Sequence, residues 1–107
     1  MKAVANYVPF VISGNHLYVS GQVSANEKGR ITGRLGETMD VGAGQAAARQ
    51  CGINLLAQCK AALGDLSKIS RVVKLGGFVN CNAHFTDIPQ VINGCSDLMV
   101  EVLGEIG

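Results

Sequence analysis

Val8-Pro9-Phe10-Val11-Ile12-Ser13-Gly14-Asn15-His16-Leu17-Tyr18-Val19-Ser20 reads as two short strands around a tight turn. Val8 to Ser13 and His16 to Ser20 are rich in aromatic and β-branched residues, and Gly14-Asn15 is a turn pair suited to a two-residue hairpin. Working outward, Asn26-Glu27-Lys28-Gly29 is a polar loop before a third strand expected near Arg30 to Leu35. Gly33, Gly36, Gly42 and Gly44 then interrupt regular structure, so this stretch is expected to be loop-like and open to close approach by a ligand or neighbouring subunit.

From Gln45 to Leu63 the apolar period becomes helical. Ala48, Cys51, Leu55, Cys59 and Ala62 form one face with Leu56 and Leu63 beside it, while Gln50, Asn54 and Gln58 mark the opposite, polar face. Gly64 follows as a helix-terminating glycine. Ile69 to Cys81 returns to strand character, with Gly76-Gly77 as a bulge or close backbone contact.

A second helix is predicted after Phe85. Asp87 and Gln90 fit a capping box, and Pro89 suits an early helical position. Val91, Cys95, Leu98 and Val102, widened by Ile92, Met99 and Leu103, form its buried stripe; Gln90, Asn93, Asp97 and Glu101 form its polar one. The order strand, strand, strand, helix, strand, helix gives an α+β class with both helices on one face of a mixed sheet.

The 107 residues are 48% hydrophobic and 16% charged, which fits one compact domain over residues 1-107. Nine basic and eight acidic side chains leave a net charge of +1, without the footprint of a nucleic-acid or anionic-membrane binder. No apolar run reaches the roughly 18 to 20 residues that cross a bilayer, and Met1-Lys2-Ala3 precedes no signal-peptide core, so a cytoplasmic location is expected. Cys51, Cys59, Cys81 and Cys95 could form two disulfides by count or a metal site by type. They contain no Cys-x-x-Cys pair, and Cys51 and Cys59 would lie about 12 Å apart along a helix, so four reduced, mostly buried thiols are expected.

Tyr7, Ser20-Gly21-Gln22, the Val73 to Asn80 strand and the Val91 to Leu103 helix, in this order and spacing, resemble the RidA (YjgF) superfamily, also called L-PSP endoribonuclease-like. Ala5-Asn6-Tyr7-Val8-Pro9-Phe10 and Val91-Ile92-Asn93-Gly94 look more like a less characterised branch than the well-studied imine deaminases. The resemblance implies a chorismate-mutase-like fold and a homotrimer with clefts between subunits. There, active members hydrolyse 2-imino acids or their enamine tautomers to 2-keto acids and ammonia without metal or organic cofactor. It implies substrate-binding roles for Tyr7, Ser20, Gly21 and Asn93, with a small carboxylate-bearing metabolite as ligand. The family's carboxylate-binding arginine and water-positioning glutamate lie in its last two strands, which would follow Gly107; catalytic residues are therefore not assigned within the sequence, and the C-terminal strands are expected to be absent from it.

Beside these implied roles, Tyr7 also reads as a half-buried strand tyrosine, Asn93 as ordinary helix-surface polarity, and Arg34, Arg49 and Arg71 as solvated charges. Ser20 has no histidine and acid at a recognisable spacing for a hydrolase nucleophile. The alternative function is a non-catalytic trimeric small-molecule-binding or interaction module. Ribonuclease activity fits least, given the near-neutral charge and turn histidines His16 and His84.

Overall fold

The computed structural model describes residues 7–107. β1 (Phe10–Ser13) and β2 (His16–Val19) form the antiparallel hairpin read from the sequence, with Ser13 opposite His16. At the turn only Gly14 has positive φ, 59°, the backbone signature of a turn with glycine at its first central position. β3 (Ala25–Asn26) and β4 (Gly29–Arg30) make a second, minimal hairpin. The expected third strand near Arg30 to Leu35 is thus corrected: Arg30 belongs to β4, and Leu35 makes only isolated bridges to Met39 and Cys81. The mixed sheet is likewise replaced by two separate two-stranded antiparallel sheets.

α1 (Val41–Leu63) starts one turn earlier than the sequence reading, so Gly42 and Gly44 are helical and not loop-like. The reason is local: the Asp40 carboxylate accepts a 2.8 Å hydrogen bond from the Ala43 amide, satisfying one of the open donors of the first turn. At the other end Gly64 takes φ 82° and its N–H closes onto the Lys60 carbonyl, as its position predicts.

α2 (Ile88–Leu103) also follows the sequence, but its expected capping box does not form. Asp87 has ψ 34°, outside the extended geometry that aims a capping side chain at the following amides, and makes no side-chain cap bond. Val91, Cys95, Leu98 and Met99 are buried as the stripe requires; Val102 is instead 46% exposed.

The core sits where the two helices cross. Ala48 and Leu56 of α1 meet Cys95, Leu98 and Met99 of α2, with Leu55, Leu66, Leu75 and Leu103 packed around them. Small residues permit the crossing. A Cβ on Gly52 would lie 2.9 Å from the Leu98 side chain and 3.1 Å from the Cys95 sulfur, and one on Gly94 would overlap the Gln45 carbonyl. Gln45 Nε2 further ties α1 to the Gln90 carbonyl at 2.8 Å. At this end Leu35 is buried against Gly44 and Val91, its backbone held between the Asn80 carbonyl and the Asn82 amide, each at 2.9 Å.

Two burial assignments on α1 change. Asn54 and Gln58, read as solvent-facing, are buried, whereas Cys51 and Cys59 are only half-buried; Cys95 is the buried thiol, and all four cysteines are free. Burial pushes the Cys51, Cys59 and Cys95 thiols up, away from the thiolate form. The Ile69 to Cys81 stretch is a further correction. It carries no strand ladder: Val72 N–H donates to the Ile106 carbonyl, Cys81 bridges Leu35, and Val73 and Phe78 project into solvent. Apolar alternation marks a chain that can pair, but a ladder exists only where a second edge lies alongside.

Gly94→Ala drives a methyl into the Gln45 carbonyl and so separates the helices. The expected loss is about 1–3 kcal/mol or more in urea unfolding; an unchanged midpoint and slope would show that the helices do not cross this closely.

Candidate functional site

Ser20 closes the first hairpin where its ladder ends. Its N–H donates to the Pro9 carbonyl at 2.9 Å and its hydroxyl donates to the Val8 carbonyl at 2.5 Å. The hydroxyl proton is therefore spent on the backbone, while oxygen lone pairs remain as acceptors. In this state the Ser20 oxygen has only acceptor capacity left, and among the described residues no histidine or acid bonds to it as a nucleophile would require. Gln22 folds back through Nε2 onto the Ser20 carbonyl at 3.1 Å.

Gly21 is exposed, and a Cβ placed on it would meet nothing within 4 Å. Packing among the described residues thus does not demand a glycine here, and none of them fills the space above its backbone. Tyr7 precedes Val8, the residue clamped by Ser20, and is 44% exposed. Tyr7, Ser20 and Gly21 consequently gather at the open end of one hairpin.

Asn93 is elsewhere. It lies on the exposed stripe of α2 with Gln90, Asp97 and Glu101, and among the described residues no hydrogen bond joins it to Tyr7, Ser20 or Gly21. The hairpin packs on α1 through β2. The arginines are peripheral too: Arg49 pairs with Glu101 at 2.8 Å, holding that exposed carboxyl below its usual range, and Arg34 lies 3.5 Å from Glu37. A shallow hollow of about 540 Å³ near Gly36, Asp40 and Phe85 contains none of the four predicted residues.

A residue that sequence reasoning placed on the wrong face matters most to this loop. Asn54 Nδ2 donates to the Val23 carbonyl at 3.0 Å and to the Ala25 carbonyl at 2.9 Å, pinning the chain just beyond Gln22 to α1. The available signal was its cost: asparagine is a poor helix former, yet it stands in the middle of a 23-residue helix.

The family described as "YjgF/chorismate mutase-like, putative endoribonuclease" matches residues 1–107. The chain belongs to this family. Its YjgF chorismate-mutase-like fold is shared with a crystal structure named as a putative endoribonuclease from Shewanella oneidensis MR-1. That similarity has a TM-score of 0.94 and 36% identity, over 99% of this chain and 71% of the other. The protein Atu1372 from Agrobacterium tumefaciens, whose crystal structure is described as of unknown function, is 56% identical with a TM-score of 0.91, over 95% of this chain and 65% of that one. Protein TCP17 of Trypanosoma cruzi is 50% identical over 101 residues. That match covers 94% of this YjgF-family chain but 63% of TCP17, so the chain spans less than two thirds of its curated relative.

Gly21→Ala is expected to leave unfolding stability unchanged or raise it by up to about 1 kcal/mol, because nothing among the described residues occupies the added methyl's position. A loss above about 2 kcal/mol in chemical denaturation would mean that another chain already packs on this glycine.

Proposed function

We propose that this YjgF-family chain contributes to an inter-subunit cleft that binds short 2-imino acids, or their enamine tautomers, and hydrolyses them to 2-keto acids and ammonia. The observation that carries the reading is the open Gly21 beside a Ser20 hydroxyl that donates its hydrogen bond to the Val8 carbonyl and whose oxygen can accept from an imine N–H. Tyr7 supplies a phenol at the same hairpin end, and Asn93 a side-chain amide from α2. Asn93 lies on another element, and in this reading the two surfaces meet across copies of the chain. Arg49 and Arg34 are engaged with Glu101 and Glu37, and a carboxylate is held best by a guanidinium fork, which in this reading another segment supplies. The net charge of +1 favours this small ligand over RNA.

A homotrimer is the assembly proposed for the cleft. The accessible surface of 7270 Å² compares with about 5700 Å² for a compact 11.1 kDa monomer. The radius of gyration, 14.3 Å, compares with about 13 Å for a compact chain of this length. Val11, Ile12, Tyr18, Val73 and Phe78 are among the exposed apolar side chains that a neighbour would cover. Light scattering at micromolar concentration is expected to give three copies; a well-folded monomer would remove the inter-subunit cleft.

With freshly generated 2-aminoacrylate, residues 1–107 alone are expected to accelerate ammonia release little. A form extended by the family's arginine- and glutamate-bearing closing strands is expected to accelerate it more. Equal rates in the two forms would place the catalytic groups within the present residues, and no acceleration in either would move the non-catalytic binding reading ahead.

A further inference from the structure

The Ser20-Gly21-Gln22 loop is fixed at two points. Upstream, both the amide and the hydroxyl of Ser20 are tied to the β1 end of the hairpin through Pro9 and Val8. Downstream, the loop runs into Val23-Ser24-Ala25, a tight turn in which the Ala25 amide donates to the Val23 carbonyl at 2.8 Å. This turn is held against the β4 side by Ser24, whose hydroxyl donates to the Ile31 carbonyl at 2.7 Å while its carbonyl accepts from the Ile31 amide. Its attachment to the helix layer is Asn54, which uses its amide donors on Val23 and Ala25. Gln50, one helical turn earlier, donates through Nε2 to Asn54 Oδ1 at 3.3 Å. The two carbonyl partners fix which way the amide faces, since only the nitrogen can donate to them.

We propose that Asn54 is a positioning residue for the ligand-facing Ser20-Gly21 segment, setting its distance and tilt from α1 through the Val23 and Ala25 carbonyls. The proposal rests on the cleft reading above for its ligand, while the latch itself rests on hydrogen bonds. A buried amide is suited to this task. Asn54 is 9% exposed, so its bonds are shielded from water, and their loss would strip both carbonyls of a donor at the point where the loop joins the body, leaving Val23 only its bond from the Ala25 amide. Apolar packing could hold the turn near the helix but could not select one register, because dispersion and burial are non-directional whereas two N–H bonds from one planar group are not.

The test compares Asn54→Leu, which keeps the volume and removes both donors, with Leu66→Ala, which weakens the core at the far end of α1. Both are measured in the intact protein well below their melting temperatures, with 2-oxobutanoate as the probe for affinity and amide exchange as the probe for the loop. The expected result is about a tenfold weaker affinity and about a tenfold faster exchange across residues 20 to 25 in Asn54→Leu, with neither change in Leu66→Ala. Unchanged affinity in Asn54→Leu, or equal losses in both variants, would overturn the positioning role.

If the unmodified protein does not bind 2-oxobutanoate, the ligand reading fails separately; exchange then decides the latch, which stands if protection is lost only in Asn54→Leu and falls if it is not. Should Asn54→Leu not fold, the side-chain amide protons of Asn54 in the unmodified protein give the answer by NMR. Slow exchange relative to the exposed amide of Asn93 supports the latch, and equally fast exchange overturns it.

Discussion

The close crossing of α1 and α2 is the constraint on which the rest of the structure depends. Two helices approach until a backbone carbonyl at Gln45 faces Gly94 and the Cys95 and Leu98 side chains face Gly52. Side chains at either glycine would separate the helices and open the Ala48, Leu56, Cys95, Leu98 and Met99 core. Everything outside this pair is thin: two short hairpins, a buried Leu35 and a segment without a ladder lean on it.

Because the sheets are so small, polar side chains do much of the attachment. Asn54 ties α1 to the turn after Gln22, Asn80 Nδ2 reaches the Gly33 carbonyl, and Asn82 Nδ2 reaches the Gly36 carbonyl. Each is an amide bonding a backbone carbonyl more than 25 residues away, satisfying groups that a wider sheet would satisfy by its ladder. The hairpin end carrying Ser20 and Gly21 is consequently held at defined points while its outer surface stays open.

Of the candidate site, the hairpin part was legible and the helix part was not. Ser20-Gly21 follows directly from a strand whose turn was readable, so its place at a hairpin end came with the hairpin. Asn93 was correctly assigned to the exposed stripe of α2, but that assignment gives no distance to Tyr7 or Ser20. Asn54 was misread because a helical wheel sorts residues by polarity, and a buried amide with backbone partners breaks that sorting.

The sequence by itself determined what is settled within a few residues, namely the turn at Gly14, the left-handed stop at Gly64 and the period of α2, and through its ordered motifs it also identified the family. It missed even a local feature where backbone angles intervened, as at Asp87. Only the tertiary structure decided that Asn54 and Gln58 face inward, that Cys51 and Cys59 are half-covered and that Ile69 to Cys81 lacks a ladder. The physical reason is the same in each case. Turn and cap chemistry depends on neighbours along the chain, whereas burial and strand pairing depend on groups brought together from distant positions, such as Asn54 and the Val23 carbonyl 31 residues before it.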